Sequence, residues 1–455
     1  MIIIEQLALE LDLFFDDPHS ETTTLSITLP FHQRPFSTPL LPDEGVYWYN
    51  GRAAFRAVGL GVAWSATLSG EARFQQARHH FEQLQSHWSH IDPEASGHSP
   101  RLFFQYAFSE QDPMSNEWQG FSNTLLRLPR LQLINTKGDQ LITLSHPIDG
   151  TPPNEILAQW EDDLATLQKL LNGEHQNSAP QTLTPLHSRE QHLPALQQAI
   201  DTIRQGGIEK VVWGTAQPFQ LSQPLPLLPA LRGLEQRNRR GVQLFFSERG
   251  KKWFAAPPEQ LLRKEEQQIE TEALAGTLPR GNSSEQEQQL EEHLLNDPKL
   301  QHEHQLVSDF IQQQLQHHCT TLEASAPPTI HKLENIQHLL TPIRGQLSPG
   351  SNLFELIEAL HQSPAICGTP KPTSLKWLQQ HHNSHRGYYC GGAGWITPQG
   401  DGEIYVLLRC AMVEEDCATL YAGAGIVNGS SAEEEQREIA LKIQGMVNTL
   451  TDTTA

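Results

Sequence analysis

Residues 421–442 read YAGAGIVNGSSAEEEQREIALK, a passage that joins a glycine-rich apolar run to an acidic tail. The residues that lead into it, 417–422, are rich in the residue types that favour strands. Ser431 and Glu434 have the spacing of a capping box, and apolar residues then recur at helical spacing, namely Ile439, Ile443, Met446 and Leu450. The passage therefore predicts a strand, a glycine turn and a helix over residues 431–450.

The rest of the chain mixes strands and helices without a regular βαβ rhythm. Short apolar runs at residues 208–213, 242–247 and 403–409 predict strands. The segment 285–318 is rich in Gln, Glu and His and is predicted to be helical. Four apolar residues and one histidine recur in it in steps of three and four, namely Leu300, His304, Val307, Ile311 and Leu315. This mixture favours an α+β fold with antiparallel sheets and a layered arrangement.

A polar stretch with two prolines, residues 172–193, separates two parts of the chain. Such composition is typical of a connection between compact units. The predicted organisation is an N-terminal α+β region over residues 1–175, packed on a C-terminal catalytic region over residues 190–455.

Composition excludes several classes of partner. The chain has 455 residues with 53 acidic and 32 basic side chains, a formal net charge of -21, which disfavours nucleic acid and anionic lipid surfaces. The five cysteines include no CxxC pair, which indicates a reducing compartment. The N-terminal run MIIIEQLALELDLFFDD lacks a basic n-region, and no apolar run reaches the ~18 residues of a membrane span. We therefore expect a cytoplasmic location with no membrane and no nucleic-acid partner.

The glycines of the opening passage raise the question of a dinucleotide site. The fingerprint needs a third glycine after Gly423 and Gly425, but Asn428 stands there, near the end of the chain. The glycines are better explained by close approach of backbone to a small ligand. Glu435 and Glu438 share a helix face and form a candidate Mg²⁺ site. The alternative is a solvated acidic first turn favoured by the helix dipole.

Lys210 lies in the predicted strand GIEKVVWG, where it shares a face with Ile208 and Val212. A lysine on an apolar face either extends its amine to water at a sheet edge, or is buried with a lowered pKa and is then a candidate base. Both interpretations remain open from the sequence.

Arg409 and Glu303 are two further charged residues in apolar surroundings. Arg409 would share a strand face with Tyr405 and Leu407, either as a clamp for a carboxylate or as an ordinary edge arginine. Glu303 is flanked by apolar helix positions and is a candidate buried carboxylate. Together with the acidic helix, these residues indicate a Mg²⁺ enzyme that acts on a small anion.

A set of motifs between Lys210 and Lys442 resembles, in order and in spacing, the chorismate-utilising enzymes. The motifs are KVVWGT, PPEQLLRK, TEALAGT, HEHQLV, ENIQHL, SPAICGTPK, GYYCGGAGW, IYVLLRCA and YAGAGIVNGS. The fold that the resemblance implies is a large unit of layered antiparallel sheets with helices outside, as in anthranilate synthase component I.

The resemblance also implies roles for individual residues. Lys210 matches the general base that activates water, and Glu259 matches the general acid. Glu303 and Glu438 match the Mg²⁺ ligands, with Glu435 as the neighbouring acid of the same motif. The positions that match the binding site for chorismate are Thr277, His338, Ala365, Arg409, Tyr421, Gly423, Ala424, Gly425 and Lys442.

Two alanines bear on which nucleophile attacks the substrate. Ala275 stands where aminodeoxychorismate synthases carry a nucleophilic lysine, and Ala365 stands where ammonia-using members carry threonine. The chain also shows no glutaminase segment and no LLES-type tryptophan motif, so no glutaminase subunit is expected. The resemblance therefore implies water as nucleophile and isochorismate synthase as the activity, while a salicylate synthase remains an alternative.

The N-terminal motifs VYWYNGRAA (46–54) and LLRLPRLQL (125–133), with REQHL (189–193), resemble members of the menaquinone pathway rather than the siderophore ones. Two departures from the family pattern, Trp213-Gly214 and Cys367, fall outside the implied roles. A non-enzymatic alternative is a degenerate member that binds chorismate without turning it over.

Overall fold

The computed structural model describes residues 2–16, 21–32, 44–172, 182–186, 192–223, 227–237, 239–333 and 336–451. The predicted connection 172–193 therefore lies largely outside the described residues, as do three residues of REQHL and the first two of ENIQHL. Within the described part, the helices are α1 (Ile2–Asp16), α2 (Arg73–Ser86), α3 (Pro153–Asn172), α4 (Leu193–Gln205), α5 (Leu227–Arg237), α6 (Ser284–Asn296), α7 (Pro298–Leu315), α8 (Leu353–Leu360), α9 (Lys371–Gln380) and α10 (Ala432–Thr451), with a 3₁₀ turn at Asn116–Trp118.

The strands of the described residues alternate with these helices without a fixed pattern. They are β1 (Thr24–Pro30), β2 (Gly45–Asn50), β3 (Phe55–Leu60), β4 (Trp64–Leu68), β5 (Trp88–Ile91), β6 (Leu102–Tyr106), β7 (Thr124–Leu128), β8 (Leu131–Thr136), β9 (Asp139–Pro147), β10 (Leu183–Pro185), β11 (Lys210–Leu221), β12 (Val242–Glu248), β13 (Lys251–Ala255), β14 (Gln260–Glu265), β15 (Gln268–Pro279), β16 (Cys319–Ala324), β17 (Thr329–Lys332), β18 (Ile336–Leu347), β19 (Gly368–Thr369), β20 (Gly392–Ile396), β21 (Gly402–Val406), β22 (Cys410–Glu414) and β23 (Cys417–Val427).

These strands form two sheets that each draw on both parts of the chain. The larger runs β10-β11-β23-β22-β13-β12-β2-β3-β8-β9-β1-β5, with β19 also paired to β11. The smaller runs β16-β18-β15-β14-β21-β20-β6-β7-β4, with β17 paired to β18. Pairing is antiparallel apart from β1 with β5. The N-terminal strands thus continue both sheets through the β2–β12 and β6–β20 pairs.

The two sheets meet in a common apolar core. Trp48 of the larger sheet contacts Phe103 and Tyr405 of the smaller sheet, with ring centroids 6.4 and 6.0 Å apart. Helices cover the outer faces: α4 and α10 pack on β23, α7 packs on β15, and α8 packs on β14. The layered α+β architecture expected from the sequence is present. None of the described helices has the length and apolarity needed to cross a membrane.

The two long helices predicted from spacing are confirmed. In α10 the stripe Ile439, Ile443, Met446 and Leu450 is buried, and Ser431 Oγ accepts a hydrogen bond from the Glu434 amide at 3.2 Å. In α7 the predicted stripe from Leu300 to Leu315 is buried. Asp297 ends α6 and also caps α7, since its carboxylate accepts from the Leu300 amide at 2.9 Å.

Two predicted strand boundaries were wrong. The run 403–409 is a strand only to Val406, because Leu407 and Leu408 bond back to Gly391 and Val406 and bend the chain. Arg409 then adopts φ 49° before β22 begins, so the argument that placed it on a strand face does not hold. The run 208–213 begins as a strand only at Lys210 and continues to Leu221.

The glycine turn predicted at Gly423–Gly425 was also wrong. These residues lie inside β23 and pair with Gly214, Trp213 and Val212 of β11. Small residues are needed here for another reason: a Cβ on Gly423 would lie 2.5 Å from the Trp213 carbonyl oxygen. The glycines allow close approach within the sheet rather than a change of chain direction.

Candidate active site

Lys210 begins β11 in the interior of the molecule, with 1% of its surface exposed. Its Nζ donates a hydrogen bond to Glu303 Oε1 of α7 at 2.9 Å. Val212, two residues on, faces the same cavity as Lys210, as the strand period requires. The interpretation of Lys210 as an edge lysine with its amine in water is therefore excluded.

Glu259 lies immediately before β14 and is 3% exposed. Burial raises the pKa of Glu259 to about 8, and the nearby Glu272 carboxylate adds to the rise, while Lys210 opposes it. The side chain is therefore mostly protonated at neutral pH, since its pKa lies above 7. A buried protonated carboxyl is chemically suited to donate a proton.

Lys210 and Glu259 line one cavity, open at its mouth, between the two sheets and helices α7 and α10. Twelve of the fourteen residues predicted from the sequence line it: Lys210, Glu259, Thr277, Glu303, His338, Ala365, Arg409, Tyr421, Gly423, Gly425, Glu438 and Lys442. They come from widely separated parts of the chain, so the fold brings together residues that the sequence spaces over more than two hundred positions. Their individual roles remain predictions.

Ala424 and Glu435 are the two predicted residues outside this lining. Ala424 alternates with Gly423 and Gly425 along β23, so its side chain lies on the opposite face and is buried there. Glu435 lines a neighbouring cavity that opens beside the first and shares Glu303 and Glu438 with it. Glu435 is thus at the mouth of the site, and its Oε1 accepts a hydrogen bond from Lys299 at 3.0 Å.

Three carboxylates and three lysines form a charged cluster where α7, α10 and β11 meet. The pairs, with their N–O distances, are Lys210–Glu303 at 2.9 Å, Lys299–Glu435 at 3.0 Å and Lys442–Glu438 at 2.6 Å. Burial raises the pKa of Glu303, but the positive charges of the three lysines outweigh burial and hold it below its usual value. Burial and the Glu438 charge raise the pKa of Glu435.

Glu303, Glu435 and Glu438 are the carboxylates that the described residues bring to the predicted Mg²⁺ site. Among the residues that the structure describes, no group of three or more His, Cys, Asp or Glu side chains is arranged to hold a metal ion. Glu303 and Glu438 nevertheless both face the cavity. Two carboxylates fit Mg²⁺, which takes oxygen ligands, commonly binds through one or two carboxylates, and keeps its other positions for water and substrate.

His338 and Thr277 form a polar pair on the wall made by β15 and β18. They are register partners beside a β-bulge at Gly276, and His338 Nδ1 lies 3.1 Å from Thr277 Oγ1. Burial, together with the charges of Arg409 and Lys442, lowers the pKa of His338 well below its usual value, so the imidazole is neutral. Its Nε2 is buried and makes no hydrogen bond within the described residues.

Gly423 and Gly425 present backbone polar groups to the cavity. Beyond Leu420, β23 pairs only with β11, so its other edge is open there. Lys442 Nζ donates to the Gly423 carbonyl on this edge at 2.8 Å. In an antiparallel strand the N–H and C=O of one residue point to the same side, so the amides of Gly423 and Gly425 also point to the open edge.

Tyr389 and Glu117 belong to the site but were missed from the sequence. Tyr389 stacks on Tyr421 with centroids 5.6 Å apart and lines the cavity. Glu117 accepts a hydrogen bond from the Tyr421 hydroxyl at 2.7 Å. Tyr389 lies in the GYYCGGAGW motif, which was a usable signal. Glu117 lies in a 3₁₀ turn of the N-terminal part, and nothing in its local sequence marks it.

Comparison with known proteins identifies a family and several named relatives. Residues 23–451 match the family model described as chorismate binding enzyme. The salicylate biosynthesis isochorismate synthase of Pseudomonas aeruginosa is 29% identical over 412 residues, 88% of this chain and 83% of that protein. The isochorismate synthase MenF of Escherichia coli is 30% identical over 331 residues, 70% of this chain and 74% of that protein.

A solved structure supports the same relationship. That of MenF, the menaquinone-specific isochorismate synthase from Escherichia coli, superposes with a TM-score of 0.77 at 26% identity, covering 97% of this chain and 100% of that one. The fold class predicted from the sequence, layered antiparallel sheets with helices outside, is confirmed.

Proposed function

Because the chain belongs to the chorismate binding enzyme family, we propose that it is an isochorismate synthase, an isomerase that adds water at C2 of chorismate and removes the C4 hydroxyl. The observation that carries the proposal is that a buried lysine, Lys210, and a buried protonated carboxyl, Glu259, line one cavity. The reaction needs a base where water attacks and an acid where the hydroxyl leaves, and Lys210 and Glu259 are the residues that we propose for these two roles.

In the proposed reaction Lys210 and Glu259 each take part in one proton transfer. Lys210, after losing its proton, accepts a proton from water while the water oxygen bonds to C2. The double bonds shift, the C4–O bond breaks, and Glu259 gives its proton to the leaving hydroxyl, which departs as water. Atoms balance, since one water enters and one leaves. Both groups are almost completely buried, which limits their contact with bulk water.

Positive charge and backbone amides are proposed to hold the substrate carboxylates. Arg409, Lys442, Gly423 and Gly425 line the same cavity as Glu303 and Glu438. Thr277, His338 and Tyr421 add neutral polar contacts. Mg²⁺ held by Glu303 and Glu438, with Glu435 at the mouth, would supply positive charge to a substrate carboxylate and offset the acidic cluster.

Water is the proposed nucleophile because the cavity offers no competing side chain at two positions. Ala275 and Ala365 both line it, and neither methyl group can attack carbon or orient ammonia. This supports the isomerase over an aminating enzyme. A salicylate synthase would need the same first step followed by loss of pyruvate, so the product decides between the two.

The proposed pathway is menaquinone biosynthesis, in a cytoplasmic protein that needs no glutaminase subunit. The support is the likeness of the motifs at residues 46–54 and 125–133 to that branch. A relative named for salicylate biosynthesis is about as similar overall, which keeps siderophore metabolism as the second candidate.

Product analysis tests the proposal directly. The purified chain is incubated with chorismate and Mg²⁺ without ammonia, and the products are separated by chromatography beside a Glu259→Gln control. Isochorismate formed by the wild type alone supports the proposal. Salicylate with pyruvate would move the chain to the lyase branch. Aminated product only after ammonia is added would overturn the assignment, and tight chorismate binding without any product would indicate the binding-only homologue.

A further inference from the structure

Glu272 is a buried carboxylate that the proposed reaction does not use. It lies on β15 in the TEALAGT motif, and its side chain is 12% exposed. Its Oε1 accepts a hydrogen bond from the Gln260 amide at 2.9 Å. Gln260 follows Glu259 directly, so this bond fixes the backbone next to the proposed acid.

Arg52 approaches the same carboxylate from the N-terminal part of the chain. Its Nη1 lies 3.7 Å from Glu272 Oε2, and its side chain is 37% exposed. Asn50 holds the loop in place, because its Oδ1 accepts hydrogen bonds from the amides of Arg52 and Ala53 at 3.0 and 3.2 Å. Asn50 Nδ2 in turn donates to Glu403 of the smaller sheet at 2.7 Å. The VYWYNGRAA motif therefore places the Arg52 guanidinium beside Glu272.

The charged and titratable groups that face Glu259 come from three elements. They are Lys210 on β11, Glu272 on β15 and Cys390 in the turn before β20. The negative charge of Glu272 raises the pKa of Glu259, and Lys210 lowers it. The pKa of Glu272 itself is raised, because burial outweighs the Gln260 amide and Arg52, the two groups that favour its ionised form.

We propose that Glu272 is a positioning residue for Glu259, acting through its bond to the Gln260 amide and through its negative charge, with Arg52 as its counterion. The inference rests on the proposed function, in which Glu259 is the proton donor. It gives one role to two motif residues, Arg52 and Glu272, that otherwise have none. It also makes the hairpin β2–β3 part of the catalytic apparatus, although no residue of that hairpin lines the cavity.

The test is the pH profile of Glu272→Gln, with Glu270→Gln as matched control on the same strand. Glutamine keeps an oxygen that can accept from the Gln260 amide but removes the charge. The alkaline limb of kcat, which starts near the pKa of Glu259 at about 8, should move down by roughly half a unit to one unit. Activity at pH 6.5 should stay within about threefold of the wild type, because Glu259 is protonated there in both proteins.

Glu270 is half exposed and pairs with Arg344. The Glu270→Gln variant should therefore leave the alkaline limb of the kcat profile where it is in the wild type. An unmoved limb in Glu272→Gln would overturn the inference, whether activity is retained or lost equally at every pH. A second readout does not depend on turnover. The infrared band of the protonated Glu259 carboxyl is identified by its absence in Glu259→Gln. In Glu272→Gln this band should titrate at a lower pH than in the wild type. If the wild type makes no isochorismate, the proposed function fails, and the infrared titration still decides the role of Glu272.

Discussion

At the scale of single residues, the site places two ionisable groups where neither is well solvated. Lys210 is held by Glu303, and Glu259 is held as a neutral acid by burial and by Glu272. A base and an acid in one cavity can serve different atoms of one substrate, and burial keeps Glu259 in the protonated form that a proton donor needs.

Lys210→Ala should abolish turnover while leaving the fold intact. The loss should be at least about 10²-fold in kcat, the range typical for removal of a general base. Steady-state isochorismate formation measures it, with circular dichroism to check the fold.

Lys376→Ala is the matched control, because Lys376 is an exposed lysine on α9. It should keep wild-type kcat. Near-normal turnover by Lys210→Ala would remove Lys210 from the mechanism.

A functional residue could be predicted from the sequence where its local pattern marks it, and not where its role depends on a contact formed by folding. Lys210 could be singled out because a lysine on an apolar strand face is visible in the local pattern. Glu259 could be assigned only by resemblance, since PPEQLL carries no periodic signal of its own. Glu117 and Glu272 act through partners 304 and 12 residues away, and such contacts exist only once the sheets have formed.

At the scale of elements, β23 and α10 form one unit that carries much of the site. Lys442 of α10 bonds both the Gly423 carbonyl and Glu438, which fixes the helix against the open edge of the strand. The acidic first turns of α10 then face α7 across the mouth of the cavity. The sequence predicted the helix correctly, because its period is local. It misread the glycine strand as a turn, because pairing with β11 is not local.

Glu438→Ala should weaken Mg²⁺ binding while leaving α10 folded. Removing one of two proposed carboxylate ligands should raise the Mg²⁺ concentration for half-maximal activity by roughly 10-fold or more. Calorimetric titration of Mg²⁺ in the absence of substrate measures the same change without relying on turnover.

Glu433→Ala serves as control, since Glu433 is an exposed acid in the first turn of the same helix. Its Mg²⁺ titration should match that of the wild type. Equal titrations for all three proteins would argue against Glu438 as a ligand.

At the scale of the whole molecule, the N-terminal and C-terminal parts share both sheets. The division at residues 1–175 and 190–455 remains a prediction about organisation, but each part supplies strands to the other's sheets. Removing the first part would leave β12 and β20 as unpaired sheet edges, which favour aggregation.

A chain of residues 190–455 alone should therefore be insoluble or unfolded. Soluble yield and the near-ultraviolet circular dichroism of the fragment measure this. Co-expression with residues 1–175 should recover soluble protein, because the missing strands are then available. A soluble, cooperatively folded fragment would contradict the expectation.

The free energy of unfolding should depend on pH because Glu259 is buried. Its pKa is about 8 when folded and about 4.3 in an unfolded chain, so the folded state loses stability as pH rises between these values, by on the order of 3–5 kcal/mol above pH 8. Glu259→Gln, which cannot ionise, should melt at a higher temperature than the wild type at pH 9 and at nearly the same temperature at pH 5.

Glu265→Gln is the control for this comparison, because Glu265 is exposed at the end of β14. Its melting temperature should follow that of the wild type at both pH values. An equal gap between Glu259→Gln and the wild type at pH 5 and pH 9 would contradict a raised pKa.

The crowding at Gly425 bears on which gene variants can survive selection. A Cβ there would lie 2.6 Å from Glu303 Oε1 and 2.8 Å from Lys210 Cε. Every amino-acid change encoded from that glycine codon therefore forces the ends of Lys210 and Glu303 to move from the positions in which they form their ion pair. In a mutagenised library selected for activity, we expect this codon to stay glycine, while the codon for exposed Glu433, eight residues on, drifts freely.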